Sequence, residues 1–315
     1  MSSRTRKRST SRPARRPGNR PHLDEVAAPP PISPDPPVEA SWDSTCSQTS
    51  AAAVPSVLHQ IWLGGGTPRW LRLLSLLNAR YVLQPTSHLL HYDAAPADTL
   101  EWQCACALAT CVQARPRESV FDQKLVDRAH VADLLRIDLL EARGGMYMDL
   151  DAYALRPLDA WRRCEQPLVA SLGADESKLN NGVLLARAGA PFLGAWREAY
   201  RDYRPRDWDY NSCNVSTRLA TALGPGAVHL ASQLGPLPRY RTRAGYLRHL
   251  ASAPVAHLTG ARHQWRYHDI QRYRLMARIA GVGLSAANAS ADEPSPLMRR
   301  CIAKIAGACW ARGQC

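Results

Sequence analysis

The chain has 315 residues, of which 45% are hydrophobic and 21% are charged, and its formal net charge is +13. It is long and apolar enough to bury a large core, which excludes a small disulfide-stabilised scaffold. No run approaches the ~20 apolar residues of a membrane-spanning helix. Eight Lys and Arg residues and no acid lie in residues 1–23, so the remaining chain carries only +5. Such an excess suits a polyanionic ligand, such as a nucleoside diphosphate, without requiring one.

Residues 1–53 are rich in Pro, Ser and Arg and are predicted to form a disordered tail, because they cannot bury enough apolar surface. Trp42 is the only aromatic residue in this tail, so we expect no nucleic-acid partner. Transit peptides and nuclear localisation tracts share this composition, and no secretory signal pattern is found. The sequence does not fix the localisation. A Golgi or secretory lumen is expected if the protein is eukaryotic and anchored by a partner, and the cytoplasm is expected otherwise. Membrane association is compatible with either.

The nine cysteines are an odd number and lack the paired spacing of a zinc site. Cys104, Cys106 and Cys111 lie in an alanine-rich helical pattern, where small buried hydrophobic residues are expected. The cysteines therefore fix no redox compartment.

The first ordered element is predicted at residues 54–63, an apolar run that ends at Gly64-Gly65-Gly66. It has the pattern of a buried parallel strand followed by a turn. Ligands of α/β proteins bind at the carboxyl ends of such strands. The glycines form either a phosphate-binding turn or a plain one, and Trp62 is either a core residue or a stacking platform for a base.

Strand and helix patterns then alternate, which predicts an α/β fold with a mostly parallel sheet. Up to residue 151 we expect helices at 70–81, 98–112 and 128–142, and strands at 89–92 and from Met146 onward. Beyond it we expect a turn at 157–161, strands at 168–171, 183–186 and 228–230, and helices at 191–203 and in the second half of 207–223. Asn180-Asn181-Gly182 is a turn signal that predicts a hairpin-like excursion. Residues 284–296 are predicted to be a linker, followed by a short helix.

The segment at 128–155 contains the strongest functional signal. A helical pattern stops at Gly144-Gly145, and a short apolar strand leads into Asp149-Leu150-Asp151. Side chains two residues apart in a strand share a face, so both carboxylates can converge on one cation. A two-carboxylate site leaves coordination positions free for a substrate diphosphate, as Mg²⁺ or Mn²⁺ sites do.

Asp133 and Arg136 are three residues apart on the preceding helix and share its apolar face. An exposed ion pair of small energetic value would have the same spacing. At the ligand edge of the sheet, the pair could instead hold sugar hydroxyls and a phosphate.

These motifs resemble glycosyltransferase family 32, which includes fungal α-1,6-mannosyltransferases and inositol-phosphoceramide mannosyltransferases. They are more distantly similar to α-1,4-galactosyltransferases and the clostridial glucosylating toxins. The matching segments span about residues 54–270, namely VLHQIW at 57–62, ADLLR at 132–136, GGMYMDLD at 144–151 and NGVL at 181–184.

The resemblance implies a GT-A fold, a nucleotide-sugar donor, Mn²⁺ or Mg²⁺, and retention of anomeric configuration. Trp62 would then stack on or pack against the base, with Leu63 and Gly64 beside it. Asp133 and Arg136 would bind the donor sugar and diphosphate, and Asn181 would contact the donor sugar or the acceptor. Asp149 would bind the ribose or a metal-bound water, and Asp151 would ligate the metal. His257 resembles the late histidine that closes on the metal or phosphate, with Trp265 after it, and His263 is the alternative.

The resulting hypothesis is a metal-dependent retaining hexosyltransferase in which Asp149, Asp151 and Arg136 are the catalytic residues. Its GT-A domain is expected at 54–283, after the tail at 1–53 and before a linker and short tail at 284–315. The acceptor would be a hydroxyl group on a glycan, glycolipid or protein. The donor would be GDP-mannose, slightly favoured, or a UDP-hexose. The alternatives are a catalytically silent relative that binds a nucleotide sugar or a protein, and a Mg²⁺-dependent phosphotransferase or nucleotidase.

Overall fold

The computed structural model describes residues 46, 53–173, 177–235, 252–258 and 269–311, with side chains of the last range described at 276–308. Apart from Cys46 and Ala53, the tail at 1–53 lies outside the described residues, as do His263 and Trp265. The predictions for these parts therefore stay predictions. The described strands are β1 (Val57–Trp62), β2 (Ser87–Tyr92), β3 (Thr110–Gln113), β4 (Ser119–Val120), β5 (Gln123–Lys124), β6 (Gly145–Met148), β7 (Ala152–Ala154), β8 (Leu168–Leu172), β9 (Leu179–Ala186), β10 (His229–Ala231) and β11 (Val255–His257).

One seven-stranded sheet has the order β10-β8-β9-β6-β1-β2-β3. β1 pairs in parallel with β2 and β6, and two further parallel pairs are β2 with β3 and β8 with β10. β9 is antiparallel to both β6 and β8. Two small antiparallel sheets, β4 with β5 and β7 with β11, lie outside it. The mixed, mostly parallel sheet confirms the predicted α/β class.

The described helices are α1 (Trp70–Asn78), α2 (Leu100–Leu108), α3 (Arg128–Arg143), α4 (Asp159–Arg162), α5 (Pro191–Glu198), α6 (Val215–Leu223), α7 (Asp269–Asn288) and α8 (Pro296–Ala311). Successive strand residues alternate between two cores, as the period of a strand requires. Tyr147 and Leu184 pack with α3, α5 and α6, whereas Met146 and Leu185 pack in a second core with Leu58. A third core joins α1, α2, α7 and α8.

Two predicted boundaries are wrong where tertiary contacts override the local pattern. The helix expected at 98–112 ends at Leu108, and the β-branched residues Thr110 and Val112 join the edge strand β3. Asn180-Asn181-Gly182 is not a turn but lies within β9. The hairpin itself exists, but its connection comes earlier, where the Gly173 N–H donates to the Lys178 carbonyl at 2.7 Å.

The linker predicted at 284–296 is shorter than expected, because α7 continues to Asn288 and α8 begins at Pro296. Gly283 shows why the glycines do not break α7. A Cβ atom there would lie 2.2 Å from Asn78 Oδ1 on α1, and Asn78 Nδ2 also donates to the Ile279 carbonyl at 3.0 Å. The glycine permits close helix packing rather than a chain break. The turn at 157–161 likewise contains the start of α4.

Three disulfides link Cys46 to Cys164, Cys104 to Cys301, and Cys106 to Cys111. The prediction that Cys104, Cys106 and Cys111 are merely small hydrophobic residues is therefore wrong, although Cys104 is fully buried. Disulfides form and persist in oxidising environments. The three disulfides therefore indicate an oxidising folding environment, which the spacing of the cysteines did not indicate.

No helix in the described ranges combines the length and apolar character needed to cross a bilayer.

Candidate functional site

Two glycines carry the chain directly from α3 into β6. Gly144 has φ +62° and Gly145 φ +112°, which only glycine adopts readily. A Cβ atom on Gly144 would lie 2.7 Å from the Ala188 nitrogen, and one on Gly145 would lie 2.5 Å from the Val57 carbonyl oxygen. The tight connection places β6 beside β1 and brings Asp149 and Asp151 to the carboxyl end of the sheet.

The two carboxylates converge on His257, the last residue of β11. Because β11 pairs with β7, His257 lies opposite Ala152, the residue after Asp151. The His257 Nε2 atom is 3.6 Å from Asp149 Oδ2 and 3.5 Å from Asp151 Oδ1. One ligand atom from each residue lies within 4.8 Å of the others. The structure therefore brings together the three residues that the sequence predicted as metal ligands.

His257 is fully buried, yet neither of its ring nitrogens has a hydrogen-bond partner among the described residues. Unpaired polar groups are costly away from water. A divalent cation between the imidazole and the two carboxylates would satisfy Nε2 and offset the carboxylate charge. The donor set thus fits a metal ion.

A second group of contacts connects α3 to the same edge. Arg136 Nη2 lies 3.1 Å from Asp133 Oδ1 and 3.5 Å from Asp149 Oδ1, and Nη1 donates to the Asn181 carbonyl at 2.7 Å. Asn181 Nδ2 donates to Asp133 Oδ1 at 2.7 Å. Asp133 and Arg136 are each only 5% exposed, so they are not the exposed ion pair that their spacing alone would allow. The extended backbone at Asn181 is fixed by these bonds, which explains why its turn signal fails.

Burial raises the pKa of Asp133, and the positive charge of Arg136 offsets part of that rise. For Arg136, burial opposes the charged form, but the neighbouring Tyr147, Asp149 and Asp133 outweigh it and raise the pKa further. Arg136 is therefore a permanent cation at the edge of the sheet. For Asp151, burial opposes ionisation, but His257 and Arg72 outweigh it and lower the pKa.

Two further residues at the site were missed by sequence reasoning. The Tyr147 hydroxyl donates to Asp149 Oδ1 at 2.6 Å, and the Arg136 guanidinium lies 4.4 Å from the centroid of the Tyr147 ring. Arg72 Nη1 on α1 lies 3.2 Å from Asp151 Oδ2. Tyr147 lies two residues before Asp149, so its position in the motif could have indicated a role at the site. Nothing in the sequence connects Arg72 to residues 149–151.

The loop after β1 forms the adjacent part of the edge. The half-buried Trp62 donates its indole N–H to the Gly66 carbonyl, and Leu63 and Gly64 follow it. The Gly64 N–H donates to Asp93 Oδ1 at 2.7 Å. A Cβ atom on Gly64 would lie 2.2 Å from Arg128 Nη1. This loop therefore sits between Asp93 and the first residue of α3, and its contact with a base stays a prediction.

Comparisons with known proteins bear on the central segment. Residues 101–167 match the family model described as glycosyltransferase sugar-binding region containing DXD motif. Glucan organizing enzyme 1 of Cryptococcus neoformans var. grubii is 24% identical over 154 residues, which are 47% of this chain and 42% of that protein. Glycosyltransferase afumC of Aspergillus fumigatus is 34% identical over 82 residues, 23% of this chain and 21% of that protein. The chain spans less than half the length of both relatives.

Similar solved structures include the glycosyltransferase GlyE of Streptococcus pneumoniae, with a TM-score of 0.47, 13% identity and coverage of 76% of this chain and 66% of GlyE. The galactosyltransferase LgtC has a TM-score of 0.42 and 14% identity, over 72% of this chain and 95% of LgtC. At these scores the similarity supports no functional argument. The mixed, mostly parallel sheet, its flanking helices, and the position of Asp149 and Asp151 after β6 agree with the predicted GT-A architecture.

The matched segment contains the four charged residues that the sequence singled out, namely Asp133 and Arg136 on α3 and Asp149 and Asp151 in the D-x-D triplet. The match also supports the prediction of a transferase enzyme. The match agrees with the resemblance to glycosyltransferase family 32 in the segment that carries these residues, since residues 101–167 are similar to the glycosyltransferase sugar-binding region containing the DXD motif.

Proposed function

We propose that this protein is a metal-dependent glycosyltransferase that moves a hexose from a nucleoside diphosphate sugar to a hydroxyl group of a glycan, glycolipid or protein. The observation that carries the proposal is the buried His257, whose unpaired Nε2 faces Asp149 and Asp151 at 3.6 and 3.5 Å. Two carboxylates and an imidazole suit Mn²⁺ better than Mg²⁺, which prefers oxygen ligands alone. When bound, the ion would neutralise charge on the diphosphate leaving group.

The other residues of the edge have separate roles in this proposal. Arg136 holds Asp149 in place and supplies a fixed positive charge beside the diphosphate. Asp133 and Asn181 hold each other at 2.7 Å, and their remaining acceptor and donor groups bind hydroxyls of the donor sugar. Trp62, Leu63 and Gly64 border the base. Each group is pre-positioned by protein contacts, so donor binding requires little reorganisation.

Retention of configuration and mannose as the sugar are proposed from the family resemblance. GDP-mannose is the first donor to test, followed by UDP-galactose, UDP-glucose and UDP-N-acetylglucosamine. In the proposed mechanism, the leaving phosphate helps to deprotonate the acceptor on the same face of the sugar, so no carboxylate nucleophile is required.

A thermal-shift screen of nucleotide sugars, with and without Mn²⁺, tests the proposal. A ligand that binds only the native state stabilises it, by about 2.7 kcal/mol at one hundred times Kd. We expect a stabilisation by the true donor that requires Mn²⁺, followed by sugar transfer to a hydroxyl acceptor. Binding without turnover would favour the catalytically silent relative. Release of inorganic phosphate without sugar transfer would favour a phosphotransferase or nucleotidase.

A further inference from the structure

Arg72 is fixed beside the site by the packing of α1. It lies in the first turn of α1, one turn before Ser75, whose hydroxyl donates to the Ala152 carbonyl at 2.7 Å. Leu73 and Leu74, which follow Arg72, are fully buried in the core shared with α7 and α8. Residues three apart share a helix face, so Arg72 and Ser75 both face the segment 151–152. The guanidinium position is therefore set by the fold rather than by a mobile surface side chain.

The two carboxylates of the site are held in the same way. Each has one oxygen facing His257, namely Asp149 Oδ2 at 3.6 Å and Asp151 Oδ1 at 3.5 Å. The other oxygen of each faces an arginine: Asp149 Oδ1 lies 3.5 Å from Arg136, and Asp151 Oδ2 lies 3.2 Å from Arg72. Arg72 is thus the counterpart of Arg136 on the opposite side of the site.

The two arginines differ in how many of their donors are used. The Arg136 side chain is 6% exposed and also contacts Asp133 and the Asn181 carbonyl. The Arg72 side chain is 35% exposed. Among the described residues, its one ion pair is with Asp151. A guanidinium has five N–H donors in a planar fork that matches a phosphate. Among the described residues, most donors of this partly exposed guanidinium have no partner.

We propose that Arg72 binds the diphosphate of the donor and acts as the counter-ion of Asp151 before metal is bound; this inference rests on the proposed function. A guanidinium beside Asp151 repels an incoming divalent cation but attracts the phosphates that arrive with it. Arg72 therefore weakens metal binding in the absence of donor and strengthens donor binding in the presence of metal. A residue that only held Asp151 in position would support both binding events.

The opposite signs of these effects make the proposal testable by Arg72→Gln and Arg72→Lys. Mn²⁺ affinity is measured by electron paramagnetic resonance without nucleotide, and GDP and UDP affinities by calorimetry in saturating Mn²⁺. In Arg72→Gln we expect Mn²⁺ to bind about threefold tighter and the preferred nucleoside diphosphate to bind about tenfold weaker. Arg72→Lys, which keeps the charge but loses the planar fork, should fall between wild type and Arg72→Gln.

Arg69→Gln is the matched control, because Arg69 lies one turn earlier, is exposed, and forms no ion pair in the described parts of the chain. It removes the same charge from the protein and should leave both affinities unchanged. An unchanged or tighter nucleotide affinity in Arg72→Gln, or a weaker Mn²⁺ affinity, would overturn the role of Arg72. Failure of the wild-type protein to bind Mn²⁺ or any nucleoside diphosphate would instead overturn the proposed function, so the two failures are distinguishable.

Discussion

Two buried polar clusters lie within the same fold, and they differ in whether their members satisfy one another. The histidine network, defined as His59, Gln60, Ser75, His88 and His91, occupies β1, β2 and α1. His59 Nδ1 lies 3.0 Å from His91 Nε2, and His59 Nε2 lies 3.2 Å from the Gly144 carbonyl. His88 Nε2 contacts Gln60 Oε1 at 2.9 Å, and Gln60 Nε2 donates to the Ser75 hydroxyl at 3.2 Å.

In the candidate site, by contrast, both ring nitrogens of His257 lack a hydrogen-bond partner among the described residues. In the histidine network, Nδ1 of His88 is the ring nitrogen that lacks one among the same residues. The histidine network also contains no carboxylate. A polar group that is satisfied by its neighbours stabilises the fold, whereas an unsatisfied one facing two acids marks a place for a ligand. Burial of a histidine alone therefore does not indicate function; its partners do.

The largest effect is expected from Asp151→Asn, which removes a ligand charge from the site. Turnover and Mn²⁺ affinity should each fall at least about 100-fold, because a metal ligand matters more than its supporting residues. Stability should change little. Asp138→Asn, on the outer side of α3 where Asp138 pairs with Arg117 at 2.7 Å, is the control. Full activity of Asp151→Asn would contradict the metal role.

Gly182→Ala tests the same cluster by steric means. Its added methyl group would lie 2.1 Å from His257 Cε1 and 2.7 Å from Asp149 Oδ2, so it should displace both ligands. We expect turnover to fall about 30-fold, because disturbing the residues that orient metal ligands costs about 10–100-fold in metal affinity or activity. Gly226→Ala, where no atom lies within 4 Å of an added Cβ, should behave as wild type. Equal Mn²⁺ affinity in both variants would argue against His257 as a ligand.

His91→Leu should have the opposite profile. It leaves His59 Nδ1 without its partner, which should lower the free energy of unfolding by about 1–2 kcal/mol. Mn²⁺ affinity should stay unchanged, because His91 does not contact the three candidate ligands. Urea unfolding and metal titration separate the two effects. If His91→Leu instead lost Mn²⁺ affinity without losing stability, the histidine network could no longer be distinguished from the candidate metal site by function.

The last prediction concerns pH. Burial lowers the pKa of His59, and it lowers the pKa of His88 to about 3 and that of His91 to about 4. These histidines stay neutral in the folded protein but bind protons in the unfolded chain below about pH 6.5. Stability should therefore be retained above pH 6.5 and fall as pH decreases toward 4, by up to about 1.4 kcal/mol per pH unit for each histidine.

The dependence is measured by urea unfolding between pH 4 and pH 7. His91→Leu provides the comparison and should show a shallower decline over this range. A stability that is constant between pH 4 and pH 6.5 would show that these histidines are not kept neutral by the fold.

The sequence predicted the parts of the site that are close together in the chain. α3, the Gly144-Gly145 connection and β6 follow one another directly, so helical spacing and strand alternation were enough to place Asp133, Arg136, Asp149 and Asp151 at one edge. His257 came from the family resemblance, and the structure places it between the two acids. The roles assigned to these residues stay predictions until they are measured.

Long-range packing explains what the sequence did not predict. Arg72 reaches Asp151 only because α1 is bonded to β7 through Ser75. The length of α7 depends on the fit of Gly283 against Asn78. Disulfide connectivity cannot be deduced from cysteine spacing, and Cys104 and Cys301 are 197 residues apart.

That last disulfide has a consequence for handling the protein. Cys104 on α2 and Cys301 on α8 are covalently joined, so a single proteolytic cut anywhere between them leaves both fragments in one molecule. Such a nicked protein would migrate as one species in a denaturing gel without reductant and as two fragments after reduction. Fragment mapping under both conditions therefore distinguishes an oxidised preparation from a reduced one before any assay is attempted.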